Sequence, residues 1–153
     1  MTVEEVVDAQ ERSRICEEIL QALPQWFGIE AAIRRYVHIA AELPMLVVRN
    51  GTAAAGFLSL KRHAPRAAEL YLMGVRPDLH GRGIGTALLG AAEKQLAADG
   101  VEYLQVKTLG PSRPSRGYER TRRFYQARGF RALEEIPGYW DEDNPCLIMV
   151  KRI

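Results

Sequence analysis

Residues 79–89 read LHGRGIGTALL, with glycine at 81, 83 and 85. Glycines this dense let a backbone come close to a ligand, most often a phosphate. The flanks give the loop its context. AELYLMGV (68–75) is apolar on both faces and reads as a central strand, which Arg76-Pro77-Asp78 breaks. Downstream, Ile84, Leu88, Ala92 and Leu96 recur on one face of a helix that Asp99-Gly100 should stop. The loop therefore opens a helix, where free N–H groups and the positive dipole end favour an anion. A Walker loop would place lysine after the last glycine, but Gly85 is followed by Thr86 and Ala87. A dinucleotide fingerprint would need glycine at 86 and a parallel first unit upstream. Neither condition is met. A coenzyme pyrophosphate arm remains, with Gly83 and Gly85 as the close-approach positions and Arg82 as a charge-assisted contact.

Upstream of this unit, Ile15, Ile19 and Leu23 predict a helix over 12–23, ended by Pro24. Ile33, Tyr36, Val37 and Ala40 predict a second over 30–42, with His38 on its wet face. MLVV (45–48), Asn50-Gly51 and TAAAGFLSL form a hairpin pattern, and HAPRA turns the chain into 68–75. VEYLQVKT (101–108) is the next strand, LGPSRPSRG (109–117) a loop, and TRRFYQARGF a short helix stopped at Gly129. FRALEEI and CLIMVKRI are two last strands separated by PGYWDEDNP. The order predicts an α/β (α+β) fold, a mixed and mostly antiparallel sheet flanked by helices, as a single domain over 1–153.

Composition narrows the function classes. The chain is 47% hydrophobic and 26% charged with a formal charge of +2, a balance that argues against a nucleic-acid partner. No apolar run approaches the roughly 20 residues of a membrane span, and MTVEEVVDAQ has no signal-peptide pattern, so a cytoplasmic location is expected. Cys16 and Cys146 lack metal-ligand spacing, and the three histidines (38, 63, 80) form no cluster with them. Reduced, buried thiols and no metal are expected.

VRPDLHGRGIGTALL resembles the coenzyme A motif of the GNAT superfamily of N-acetyltransferases, Arg/Gln-x-x-Gly-x-Gly/Ala, with His80, Gly83 and Gly85 at its defining positions. His80 departs from the usual Arg or Gln. FYQARGF (124–130) is a second shared feature, and the element order is similar over the whole chain. The resemblance implies a GNAT-like sheet and acetyl-CoA as cosubstrate. It places Met73, Gly74 and Val75 on a bulged strand offering N–H groups to the thioester and pantetheine. His80, Gly81, Arg82, Gly83, Ile84, Gly85 and Thr86 would hold the pyrophosphate. Tyr118 stands where many members carry a pantetheine-binding Asn.

Acetyl transfer to an amine requires loss of a proton from an ammonium of pKa about 10.4 and protonation of a thiolate whose parent thiol has pKa about 8.5. By the same resemblance Glu69 is the base and Tyr125 the acid. The acceptor is expected to be a primary amine, on a small molecule or a peptide, entering between PQWFG and PGYWDEDNP, whose aromatics and acids suit a cation. A second copy of the chain is a candidate partner. The arginines at 113, 116, 120, 122 and 123 are expected to be mostly solvated, some meeting the coenzyme phosphates. The alternative function is a non-catalytic acyl-CoA-binding module.

Overall fold

A computed structural model describes residues 1–153. In chain order the elements are β1 (Val3–Val6), α1 (Ala9–Gln21), α2 (Glu30–Ala40), β2 (Met45–Asn50), β3 (Ala53–Ala64) and β4 (Ala67–Val75). A 3-10 turn over Pro77–Leu79 leads to α3 (Ile84–Ala98), β5 (Tyr103–Leu109), α4 (Arg116–Ala127), β6 (Arg131–Asp141) and β7 (Asn144–Arg152). The strands form one sheet in the order β1-β2-β3-β4-β5-β7-β6, antiparallel throughout except between β4 and β5. This is the mixed, mostly antiparallel sheet flanked by helices that the sequence predicts.

Each face of the sheet carries its own core. α1 starts at Asp8, whose side chain accepts the Glu11 N–H at 2.9 Å. It buries Ile15, Ile19 and Leu20 with Met45, Val47 and Phe57. α3 buries Leu88, Leu89 and Ala92 with Leu58, Leu70 and Leu104 on the opposite face. At Gly51 the chain adopts φ +67°, the left-handed turn that Asn50-Gly51 announces.

Two irregularities make room for a ligand. β3 and β4 pair as Ser59↔Leu72 and then Leu60↔Leu70, so Tyr71 is an extra residue, a β-bulge. Ala68 and Leu70 face α3, whereas Leu72 joins the core under α1 and Met73 packs against the α3 side. The bulge thus reverses which residues face which layer. The expectation of a bulge at Gly74 is corrected: Gly74 pairs regularly with Phe57. A Cβ there would meet Ile19 Cγ2 at 2.9 Å, so glycine is needed for the approach of α1.

The second irregularity is a fork. β4 pairs with β5 only from Ala67↔Tyr103 to Leu70↔Val106. β5 meanwhile keeps its pairing with β7 from Tyr103 through Leu109. Beyond Leu70 the two parallel strands separate, and peptide groups of Tyr71–Val75 that would bond β5 face open space.

Three boundaries differ from expectation. β1 was unforeseen; it pairs with β2 from Val3↔Val48 to Val6↔Met45 and has only Val6 buried, so it gives little apolar signal. α4 begins at Arg116, because the Ser115 side chain accepts the Tyr118 N–H and shortens the predicted loop. PGYWDEDNP is mostly strand, with only Glu142 and Asp143 left as the turn between β6 and β7.

Candidate active site

A cavity of about 630 Å³ fills the fork between β4 and β5. It runs from the first turn of α3, past Met73 and Tyr125, to Tyr71 and Lys107. Trp26 crosses it, donating from Nε1 to Thr121 Oγ1 at 3.2 Å while its carbonyl accepts from the Tyr118 hydroxyl at 2.9 Å. The PQWFG segment is thereby divided. Trp26 lies edge-on to His80 and near Arg120, whereas Phe27 packs on Tyr36 and Tyr36 on Tyr71 at the other end.

The glycine loop ends in a helix N-terminus with open donors. Gly81 and Gly83 adopt φ +77° and +81°, and no atom lies within 4 Å of where a Cβ would stand. Their need for glycine is conformational. Gly83 is the N-cap of α3, with no side-chain cap and no acid in the first turn. The first intrahelical bond runs from the Ala87 N–H to the Gly83 carbonyl at 3.0 Å. The N–H groups of Ile84, Gly85 and Thr86 are therefore unspent. Gly85 serves packing instead, since a Cβ would sit 3.2 Å from the Phe124 ring.

His80 lines the cavity, but its Nε2 is bonded to the Val75 carbonyl at 2.7 Å and ties the loop to the end of β4. Arg82 does not line the cavity; the loop turns it outward, and it is exposed. The cations at this end are Arg120 and Arg128. Arg128 lies over the Phe124 ring at 4.8 Å and donates to Thr86 Oγ1 at 3.0 and 2.8 Å. Its place inside FYQARGF, four residues after Phe124 on one helix face, was the available signal. Of the other arginines, Arg122 donates to the Leu109 carbonyl, Arg113 pairs with Asn144 and Arg123 with Glu119.

Glu69 is 3% exposed and lies behind the cavity wall. Its Oε1 contacts His63 Nε2 at 2.7 Å and accepts from Lys107 Nζ at 3.2 Å. Both contacts use the same oxygen, which leaves Oε2 free of protein donors. Burial pushes the Lys107 ammonium down, but the charge and hydrogen bond of Glu69, with Tyr139, push it up further, and the net direction is up. His63 and Lys107 were not singled out by sequence, since only the fold brings Lys107 of β5 beside Glu69 of β4. Tyr125 is 5% exposed and lines the cavity, and burial drives its phenol well above the ordinary value, with Tyr118 adding to the effect. Burial likewise pushes Tyr118 up to about 12.

The profile of the acetyltransferase (GNAT) family matches residues 9–130. The chain belongs to this family. Its GNAT fold superposes on a GNAT-family protein from Desulfovibrio desulfuricans with TM-score 0.84, 17% identity and 99% coverage of both chains. It also superposes on the PaiA N-acetyltransferase from Thermoplasma acidophilum in complex with coenzyme A (TM-score 0.74, 19% identity, full coverage of both). A curated relative, the mycothiol acetyltransferase of Propionibacterium freudenreichii subsp. shermanii, is 34% identical over 71 residues, 46% of this chain. The match spans 21% of that relative's length.

Within this GNAT fold, Met73, Gly74, Val75, Tyr118, Tyr125 and the loop residues apart from Arg82 line one cavity, while Glu69 reaches it only beside Lys107. The expected acids of PGYWDEDNP are elsewhere. Asp141 holds Asn144 and the Asp143 N–H at the hairpin tip, and of this segment only Trp140 lines the cavity. No group of three or more His, Cys, Asp and Glu side chains is placed to hold a metal ion, and no helix is long and apolar enough to cross a membrane.

Proposed function

We propose that this protein transfers an acetyl group from acetyl-CoA to a primary amine by direct attack in a ternary complex. The observation that carries the reading is the continuity of one cavity, from the uncapped start of α3 through the β4–β5 fork to the Glu69–Lys107 pair. The pyrophosphate rests on the N–H groups of Ile84, Gly85 and Thr86, with Arg128 beside it. The pantetheine lies in the fork and takes the peptide groups that β5 leaves unpaired, as an added strand would.

The acceptor ammonium gives its proton, through water, to Glu69 Oε2, and His63, partly exposed, carries it outward. The neutral amine then attacks the thioester carbonyl, and a backbone N–H of the Met73–Val75 segment holds the oxyanion. As the carbon–sulfur bond breaks, Tyr125 donates to the thiolate. The surplus proton on the tetrahedral nitrogen passes through water back to the Tyr125 oxygen, leaving neutral amide and free thiol. The raised phenol stays protonated at neutral pH, so Tyr125 holds the proton that the departing sulfur takes. Neither cysteine lines the cavity, so no thiol is placed for an acyl-enzyme.

The test is thiol release from acetyl-CoA across a panel of amines. Tyr125→Phe is expected to lower kcat about 100-fold or more while coenzyme affinity stays within about twofold. Glu69→Gln should lower kcat/KM about 100-fold or more while coenzyme affinity holds; an undiminished kcat/KM would reject Glu69 as base. One observation favours the non-catalytic reading: Glu69 is covered by two side chains. Tight coenzyme binding with no turnover of any amine would establish that reading instead.

A further inference from the structure

The charge on the cavity wall is one-sided. Its ionised side chains are Lys107, Arg120 and Arg128, and no aspartate or glutamate lines it. Arg120 stands on α4 and Arg128 caps its C-terminus, tied to the first turn of α3, so both belong to the coenzyme end. Lys107 is the cation at the other end, 22% exposed, with its Nζ 5.8 Å from the centre of the Tyr139 ring.

Further positive charge stands around it. Lys61 lies over the Tyr71 ring at 5.6 Å, and Arg35 is close enough to act electrostatically on both Tyr36 and Tyr71. The carboxylate present, Glu69, is already matched by Lys107 and contacted by His63. A polycationic acceptor would therefore meet like charge and no free carboxylate on the wall.

We infer that the acceptor is an amine carrying a carboxylate, and that Lys107 is the residue that selects it. This rests on the acetyl-transfer reading above. A zwitterion laid antiparallel on the Lys107–Glu69 pair matches each charge with its opposite. Its ammonium lies on the Glu69 side and reaches the buried Oε2 through water, and its carboxylate faces Lys107, which keeps a compensated charge throughout. One ammonium suits a monoanion; a phosphate would call for a bidentate arginine, and no arginine lines this end of the cavity. The rings of Tyr36, Tyr71 and Trp140 line this end and offer aromatic surface for the acceptor's side chain.

The test compares phenylalanine with phenethylamine, which differ by the carboxylate, at saturating acetyl-CoA. The wild type should prefer phenylalanine by about tenfold or more in kcat/KM. Lys107→Met should bring that ratio to about one, chiefly through KM, and Lys107→Arg should retain it. The ratio cancels any common effect of Lys107 on Glu69. Phenethylamine or spermidine turning over as well as phenylalanine in the wild type would overturn the inference, as would a ratio that survives Lys107→Met. If no amine is acetylated, the acetyl-transfer reading fails. Calorimetry of phenylalanine against the complex with free coenzyme A then decides the inference alone. Weaker binding to Lys107→Met supports it, and equal affinities reject it.

Discussion

Gly74 and Gly83 stand in the same site for different physical reasons, and their substitution should fail in different ways. At Gly83 the backbone has φ +81° with open space around the missing Cβ. Alanine there is strained by about 1–2 kcal/mol, and the strain relaxes by moving the N–H groups proposed to hold pyrophosphate. Gly83→Ala should therefore weaken coenzyme binding about tenfold with a modest loss of stability, read by calorimetry and urea unfolding. Gly74 has an ordinary backbone and a crowded neighbour, Ile19 Cγ2 at 2.9 Å. Gly74→Ala should cost about 1–3 kcal/mol by overpacking the α1 interface, which would also shift β4. The opposite pattern, a stable Gly74→Ala and a coenzyme-competent Gly83→Ala, would contradict both assignments. The dense glycines were legible as a loop opening a helix because strand, break and helix surround them. The need for glycine at 74 was not, because Ile19 is its neighbour only after α1 packs on the sheet.

The elements that shape the site are a bulge, a fork and an early helix start. Apolar residues on both faces of 68–75 identified a central strand, and for that reason hid the bulge: alternation cannot reveal one extra residue where neither face is polar. The fork is a property of pairing, with β5 held by β7 through Leu109 after β4 has left it at Leu70. The start of α4 was available in Ser115, three residues before the N–H it caps, but the surrounding Pro, Arg and Gly read as loop. That cap places Tyr118 against the Trp26 carbonyl. Ser115→Ala should cost about 1 kcal/mol and loosen the Trp26 crossing, raising the coenzyme Kd several-fold. An unchanged Kd despite lower stability would show that Trp26 is held independently of the cap.

For the molecule as a whole, the two thiols set an alkaline limit. Cys16 sits in the core under α1 and Cys146 on β7, both free and buried. Burial, with some help from Glu17, pushes Cys16 from its ordinary value near 9 to about 12. Cys146 rises to about 11, again chiefly through burial. Between pH 9 and 11 the unfolded chain loses both protons while the folded chain keeps them. Stability is therefore complete below pH 9 and falls above it, by about 1.4 kcal/mol per pH unit for each thiol. From an ordinary reserve of about 5–15 kcal/mol, the loss is large by pH 10.5. Urea midpoints should be level from pH 7 to 8.5 and then drop. Cys16→Ala should roughly halve the slope between pH 9 and 10, below the range where the buried phenols of Tyr118 and Tyr125 add to it. Midpoints that stay level to pH 10.5 would mean that the thiols ionise in the folded state. Unfolding above pH 9 lies close to where an amine acceptor loses its own proton. A decline of kcat/KM on that limb reports chemistry only where circular dichroism shows the sheet intact.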